Sequence, residues 1–121
     1  MRIPPNASHP SVSQVDLAVS LNNLSSQLWE QGRRDDALKA VQKAVELTRQ
    51  LAADRAVAFV PQLAALLNNL ANYSSDAGQP QKALDAIEEA VSLYRPLAAL
   101  RPTGFNADLA RSLNNLSKHR A

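Results

Sequence analysis

The residues best suited to chemistry are six asparagines, held in three copies of the tetrapeptide Leu-Asn-Asn-Leu that begin at Leu21, Leu67 and Leu113, 46 residues apart. A primary amide donates and accepts hydrogen bonds, which matches one peptide unit of another chain. Asn22, Asn23, Asn68, Asn69, Asn114 and Asn115 are therefore candidates for holding an extended peptide by its backbone. Asparagine costs up to about 0.7 kcal/mol relative to alanine inside a helix, so its repeated use there needs a reason. A reaction centre is harder to assemble. The histidines, His9 and His119, lie near opposite ends, cysteine is absent, and Gly32, Gly78 and Gly104 cannot form a phosphate-binding loop. Asp35, Asp36, Glu88 and Glu89 read as solvated helix surface. The expectation is a protein without catalytic residues, cofactor or metal ligands.

The elements that must position these amides follow from the same period. A shift of 46 residues also superposes Leu17 on Leu63 and Leu109, Ala18 on Ala64 and Ala110, Gly32 on Gly78, Ala37 on Ala83, Ala44 on Ala90, Arg49 on Arg95, Arg55 on Arg101 and Phe59 on Phe105. Self-similarity at this period means stacked supersecondary units. Leu17, Leu21, Leu24 and Leu28 fall at i, i+4, i+7 and i+11, the stripe of one helix face, so the first helix of each unit carries the tetrapeptide. Gly32 and Gly78 terminate it, and a second helix starts near Asp35 and Asp36 or near Pro80. Ser13 with Asp16 reads as a capping-box start, and Asn106 as the cap of the last helix. Pro96 predicts a kink or break between Leu93 and Pro96. Phe59 and Phe105 are expected to pack the bends between units.

These readings give an all-α chain, an α-solenoid of antiparallel helix pairs with two full 46-residue units plus one extra helix. A loose tail is expected over residues 1–12 and the repeat domain over 13–121, in units of about 15–60, 61–106 and 107–121. Hydrophobic residues make up 45% and aromatics only 4%, which requires a core of Leu, Ala and Val and favours closely packed helices. Thirteen basic against eleven acidic residues leave +2, too little for the dense basic stripe of a nucleic-acid binder. No run approaches the roughly 18 apolar residues of a membrane span, and no apolar signal core opens the chain, so a cytoplasmic location is expected.

Leu21, Leu24, Ser25, Leu28, Gly32, Ala37 and Ala44, with Leu67, Leu70, Ala71, Gly78, Ala83 and Ala90, resemble the tetratricopeptide repeat. The period exceeds that family's usual length of about 34 residues because both helices are long. The chain is similar to the long-helix branch found in kinesin light chains and in arrays that accompany signalling ATPases or caspase-like peptidases; residues 105–117 carry that similarity most strongly. Ser74 departs from the pattern where unit one has Leu28. The resemblance implies a right-handed superhelix whose first helices line a concave groove for extended or short helical peptides.

At 100° per residue, Asn22 and Asn23 each lie about 130° from the leucine stripe and flank the opposite polar face. That face also collects Val19, Ser26, Trp29 and Glu30, then Ala65, Asn72, Ser75 and Asp76, then Arg111 and Lys118. First helices about 8–10 Å apart would set amides at roughly every third residue of a strand rising about 3.3 Å per residue. The candidate peptide-binding residues are thus Asn22, Asn23, Ser26, Trp29, Asn68, Asn69, Asn72, Arg111, Asn114, Asn115 and Lys118. Family members that clamp a C-terminal carboxylate use lysine, arginine and asparagine on successive first helices; Asn69 and Arg111 match that pattern, while Asn22, Ser26 and Asn115 depart from it. The function expected is a protein- or peptide-binding adaptor or scaffold. The alternatives are a self-associating module joined through open solenoid ends, and a fragment of a longer signalling array.

Overall fold

The computed structural model describes residues 10–120, and side chains from 14 to 119. The tail expected over residues 1–12 lies outside the described residues except for 10–12, which are helical. Five helices and no strand occur among the described residues: α1 (Pro10–Glu30), α2 (Arg34–Asp54), α3 (Ala56–Asp76), α4 (Pro80–Leu100) and α5 (Pro102–Arg120). Each packs on the next in the chain, which makes an α-solenoid of helix pairs. α3 crosses residue 61 and α5 crosses residue 107, where the sequence had divided the units.

Two kinds of joint alternate, and each repeats. Within a unit the chain turns through glycine. Gly32 and Gly78 sit at φ 81° and 76°, in the left-handed region that costs other residues about 1–2 kcal/mol. Arg33 N–H donates to Leu28 O at 2.9 Å and Gly32 N–H to Trp29 O at 3.0 Å. Gln79 N–H to Ser74 O at 2.8 Å and Gly78 N–H to Ser75 O at 3.1 Å repeat the pattern, a Schellman closure of the first helix. Between units the joint is one residue. Arg55 and Arg101, with φ −134° and −135°, end one helix by donating to Leu51 O and Leu97 O and begin the next by accepting from Phe59 and Phe105 N–H. Phe59 and Phe105 lie in the first turns of α3 and α5, next to these joints, and Phe105 lines a cavity with Leu97, Leu100 and Arg101.

Other expectations need correction as well. Ser13 lies within α1 and Asn106 within α5, so neither starts its helix. α4 continues through Pro96 to Leu100 without a break, because Tyr94 and Ala98 on either side of the ring are buried and hold the last turn in place. α3 similarly accommodates Pro61.

Small side chains form the closest contacts. Ala18, Ser25, Ala37, Ala44, Ala64, Ala71, Ala83 and Ala90 are all fully buried. The leucine stripe holds in the middle of the stack, where Leu63, Leu67 and Leu70 are buried. It fails in α1: Leu17 is 48% exposed and Leu24 44%, because among the described residues α1 has no helix on the side that α2 covers for α3. On the outer surface Arg49 of α2 pairs bidentately with Glu89 of α4, its second bond measuring 3.1 Å. Both side chains are partly exposed, so the pair contributes no more than about 1 kcal/mol, yet it fixes the register of adjacent second helices.

The glycines permit a direct test. No atom lies within 4 Å of a Cβ built on Gly78, so the cost of Gly78→Ala is purely one of backbone and should be about 1–2 kcal/mol in urea unfolding. Gly104→Ala, inside α5 with only Arg101 Cβ at 3.7 Å, should be neutral or stabilising by up to about 1 kcal/mol.

Candidate functional site

Positions spaced i, i+3, i+7 and i+10 bring one face of each first helix to a common surface. α3 contributes Gln62, Ala65, Asn69 and Asn72; α5 contributes Asp108, Arg111, Asn115 and Lys118. A cavity of about 410 Å³ runs between these helices, lined also by Pro61, Asn68, Tyr94 and Phe105. It shares Asn72 and Asn115 with a second cavity of about 250 Å³ that adds Ser75, Asp76, Lys118 and His119. At the other end Pro61 and Phe105 also line an apolar cavity of about 450 Å³, completed by Val57, Leu97, Leu100 and Arg101. Side by side, the three linings are apolar at the helix starts, amide-rich in the middle and charged beyond.

The structure uses the three asparagine pairs unequally. Neighbouring first helices are joined where Asn22 Oδ1 accepts from Asn69 Nδ2 at 3.3 Å and Asn68 Oδ1 accepts from Ser112 Oγ at 3.1 Å. Asn68 is 7% exposed and Ser112 fully buried, so this bond sits where an unmet polar group costs about 1–3 kcal/mol. The second members Asn69 and Asn115 are half-buried and line the groove. Asn114, the third copy of the joint, is exposed, as no further first helix follows among the described residues.

Of the eleven candidates, Asn68, Asn69, Asn72, Arg111, Asn115 and Lys118 come together in these cavities. Asn22, Asn23, Ser26, Trp29 and Asn114 line none of the three. Trp29 stacks on Tyr73 with ring centroids 4.6 Å apart, and the Arg34 guanidinium lies 5.2 Å from its centroid, a packed joint between α1 and α3. Arg111 donates to Asp108 at 3.2 Å, which leaves most of its guanidinium exposed to the groove.

Sequence reasoning missed Gln62, Tyr94, Asp108 and His119, and the apolar end as a whole. The signals were mismatches between repeats: Tyr94 stands where unit one has Thr48, and Leu100 where it has Asp54. The Tyr94 ring meets Phe105 at 6.4 Å, and burial first, then the Asp108 carboxylate, pushes its phenol up to about 12. Its hydroxyl thus stays neutral on the groove floor at ordinary pH. Among the described residues no three His, Cys, Asp or Glu side chains gather as a metal site requires, and no helix is long and apolar enough to cross a membrane.

A stack of paired helices with a groove between its first helices defines a helical-repeat interaction module. The chain belongs to the tetratricopeptide repeat family, whose model matches residues 16–95. Repeats of this family mediate protein–protein interaction as adaptors and scaffolds. No curated protein matches the chain.

Two measurements probe the site. Asn68→Ala strands the buried Ser112 hydroxyl and should lower unfolding free energy by about 1–3 kcal/mol, whereas Asn114→Ala should change it by less than about 0.5 kcal/mol. For Tyr94 the folded pKa lies above the unfolded value, so its contribution is complete below about pH 10 and is lost as pH rises toward 12. The difference in stability between the native chain and Tyr94→Phe should shrink across that window and stay constant below it.

Proposed function

We propose that the chain is a non-enzymatic peptide-binding adaptor of the cytoplasm that takes an extended segment along the α3–α5 groove. The observation that carries this reading is that three neighbouring cavities share lining residues, Pro61 and Phe105 between one pair and Asn72 and Asn115 between the other. From Pro61 to Asp76, α3 advances about 22 Å, the length of about six or seven extended residues. Asn69 and Asn115 offer amides to the peptide backbone, the neutral Tyr94 phenol lies beneath it, and Val57, Leu97 and Leu100 receive a bulky apolar side chain at one end. Val57 is 95% exposed and Leu100 82%, an exposure that a bound side chain would relieve. Arg111 and Lys118 suit a carboxylate, and Asp76 and Asp108 limit how acidic the peptide can be. Asn22 and Trp29 support the groove by joining α1 to α3. The 46-residue period and 21-residue helices favour a place in the long-helix branch of the family, beside kinesin light chains.

Selection from a random peptide library on the immobilised chain tests the reading. Selected sequences should share a bulky apolar residue near one end. Asn115→Ala should weaken them about two- to tenfold, the worth of one net hydrogen bond. Leu100→Asp, which restores the residue type found at this position in unit one, should abolish the apolar preference while the circular dichroism is unchanged. Binders indifferent to both substitutions would sink the groove assignment.

A further inference from the structure

We infer that the cavity between α3 and α5 that Ser75 and His119 line is a seat for one aromatic side chain of the bound peptide, foremost a tryptophan. As a subsite of the α3–α5 groove, it rests on the peptide-binding reading proposed for that groove. The chain contains a filled copy of this seat. In unit one, Trp29 of α1 stacks on Tyr73 of α3, with ring centroids 4.6 Å apart and planes inclined by 20°. A shift of 46 residues carries Trp29 onto Ser75 and Tyr73 onto His119. Those two copies line the cavity of about 250 Å³, with Asn72, Asp76, Asn115 and Lys118 around them. Where an indole stands between α1 and α3, there is open space between α3 and α5.

The space suits the ring that is missing from it. Serine in place of tryptophan leaves a single hydroxyl on the α3 wall, while the α5 wall keeps a flat ring in His119. About 250 Å³ falls below the roughly 300–1,000 Å³ of a site for a whole small ligand, so the cavity fits one side chain. His119 is held ready for the contact. Its Nδ1–H donates to Asn115 O at 2.7 Å, since a carbonyl can only accept, and this bond ties the imidazole to its own helix. Nε2 is then a buried acceptor with no partner among the described residues. A tryptophan brings N–H groups on its ring and its backbone, either of which can donate to that atom. Arg34, whose guanidinium lies 5.2 Å from the Trp29 centroid, has Pro80 as its copy, so unit two supplies neither the ring nor the cation that covers it.

The seat also sets a register. From Pro61, in the apolar cavity, to Ser75, α3 advances about 21 Å, the span of about six extended residues. The peptide therefore carries a bulky apolar side chain at one end and an aromatic one about six positions away.

N-acetyl-tryptophanamide at millimolar concentration probes the seat without a peptide. In NMR spectra of the full chain it should shift the His119 imidazole and the Asn72 and Asn115 side-chain amides. Ser75→Trp, a substitution at an exposed position, puts back the residue of unit one. It should fill the seat from within and abolish those shifts, with the circular dichroism unchanged. Library selection on the native chain should yield an aromatic residue about six positions from the apolar one. Ser75→Trp should remove the aromatic preference and keep the apolar preference that depends on Leu100. His119→Ala should weaken the selected peptides about two- to tenfold, the worth of one aromatic pair, and leave their aromatic-to-alanine versions unaffected. Shifts that persist in Ser75→Trp would overturn the seat. So would selected peptides that show the Leu100-dependent preference without an aromatic one, and in that case the groove reading stands. Shifts that Ser75→Trp abolishes, in a chain that selects no peptide, would keep the ring site and remove the groove reading.

Discussion

The fold depends on the close approach of helices over small side chains. Alanine and serine are fully buried at matching positions of the first four helices, from Ser25 and Ala37 to Ala71 and Ala83. Only there can helix axes come near the lower end of the 8–10 Å range. Enlarging such a residue in a filled core forces backbone shifts that cost about 1–3 kcal/mol. The spacing then governs what lies beside it. Amides on adjacent first helices reach one another, as Asn22 and Asn69 do at 3.3 Å, and Arg49 reaches Glu89 across the second helices. With an aromatic core the same connections would be held too far apart for either contact.

Much of this architecture is legible in the sequence, since the period reports it directly. The paired glycines, the helix count and the second-helix starts all follow from local rules, and Gly32 and Gly78 adopt the positive φ those rules require. The readings that failed placed local signals above tertiary context. Ser13 and Asn106 are good caps by type, yet both lie inside their helices; for Asn106 the reason is that Arg101 turns the chain in one residue and leaves no loop for a cap to close. Pro96 is tolerated because buried neighbours outweigh one missing backbone bond. The leucine stripe misled in α1, where Leu17 and Leu24 are exposed, since periodicity describes a helix within a stack and α1 lacks one neighbour among the described residues.

The asparagine pairs were half legible. Their repetition announced a role, and the angle of about 130° from the leucine stripe gave Asn22 and Asn23 equal claim to the groove. Helix geometry alone cannot separate them. The position of the next first helix does: Asn22 and Asn68 become acceptors at the joints, Asn69 both donates to Asn22 and lines a cavity, and Asn115 lines the cavities alone. Adjacent identical residues thus meet different surroundings, set by which first helix lies beside them.

On the proposed reading, specificity is carried where the repeat is broken. Thr48 becomes Tyr94, which floors a cavity; Asp54 becomes Leu100, which makes one end of the groove apolar; Ala65 becomes Arg111, which adds a cation to its wall. Unit one builds the same helices without Leu100 or Arg111, whereas Tyr94, buried against Phe105, also holds the last turn of α4. Conversely, Ala37 with Ala83 and Ala44 with Ala90 stay constant where the stack buries them fully. Lys43 against Glu89 is the most economical of the breaks. One reversal of charge lets α4 pair with Arg49 while denying α2 the same partner, so the order in which second helices stack is written in charge although their apolar faces are nearly interchangeable.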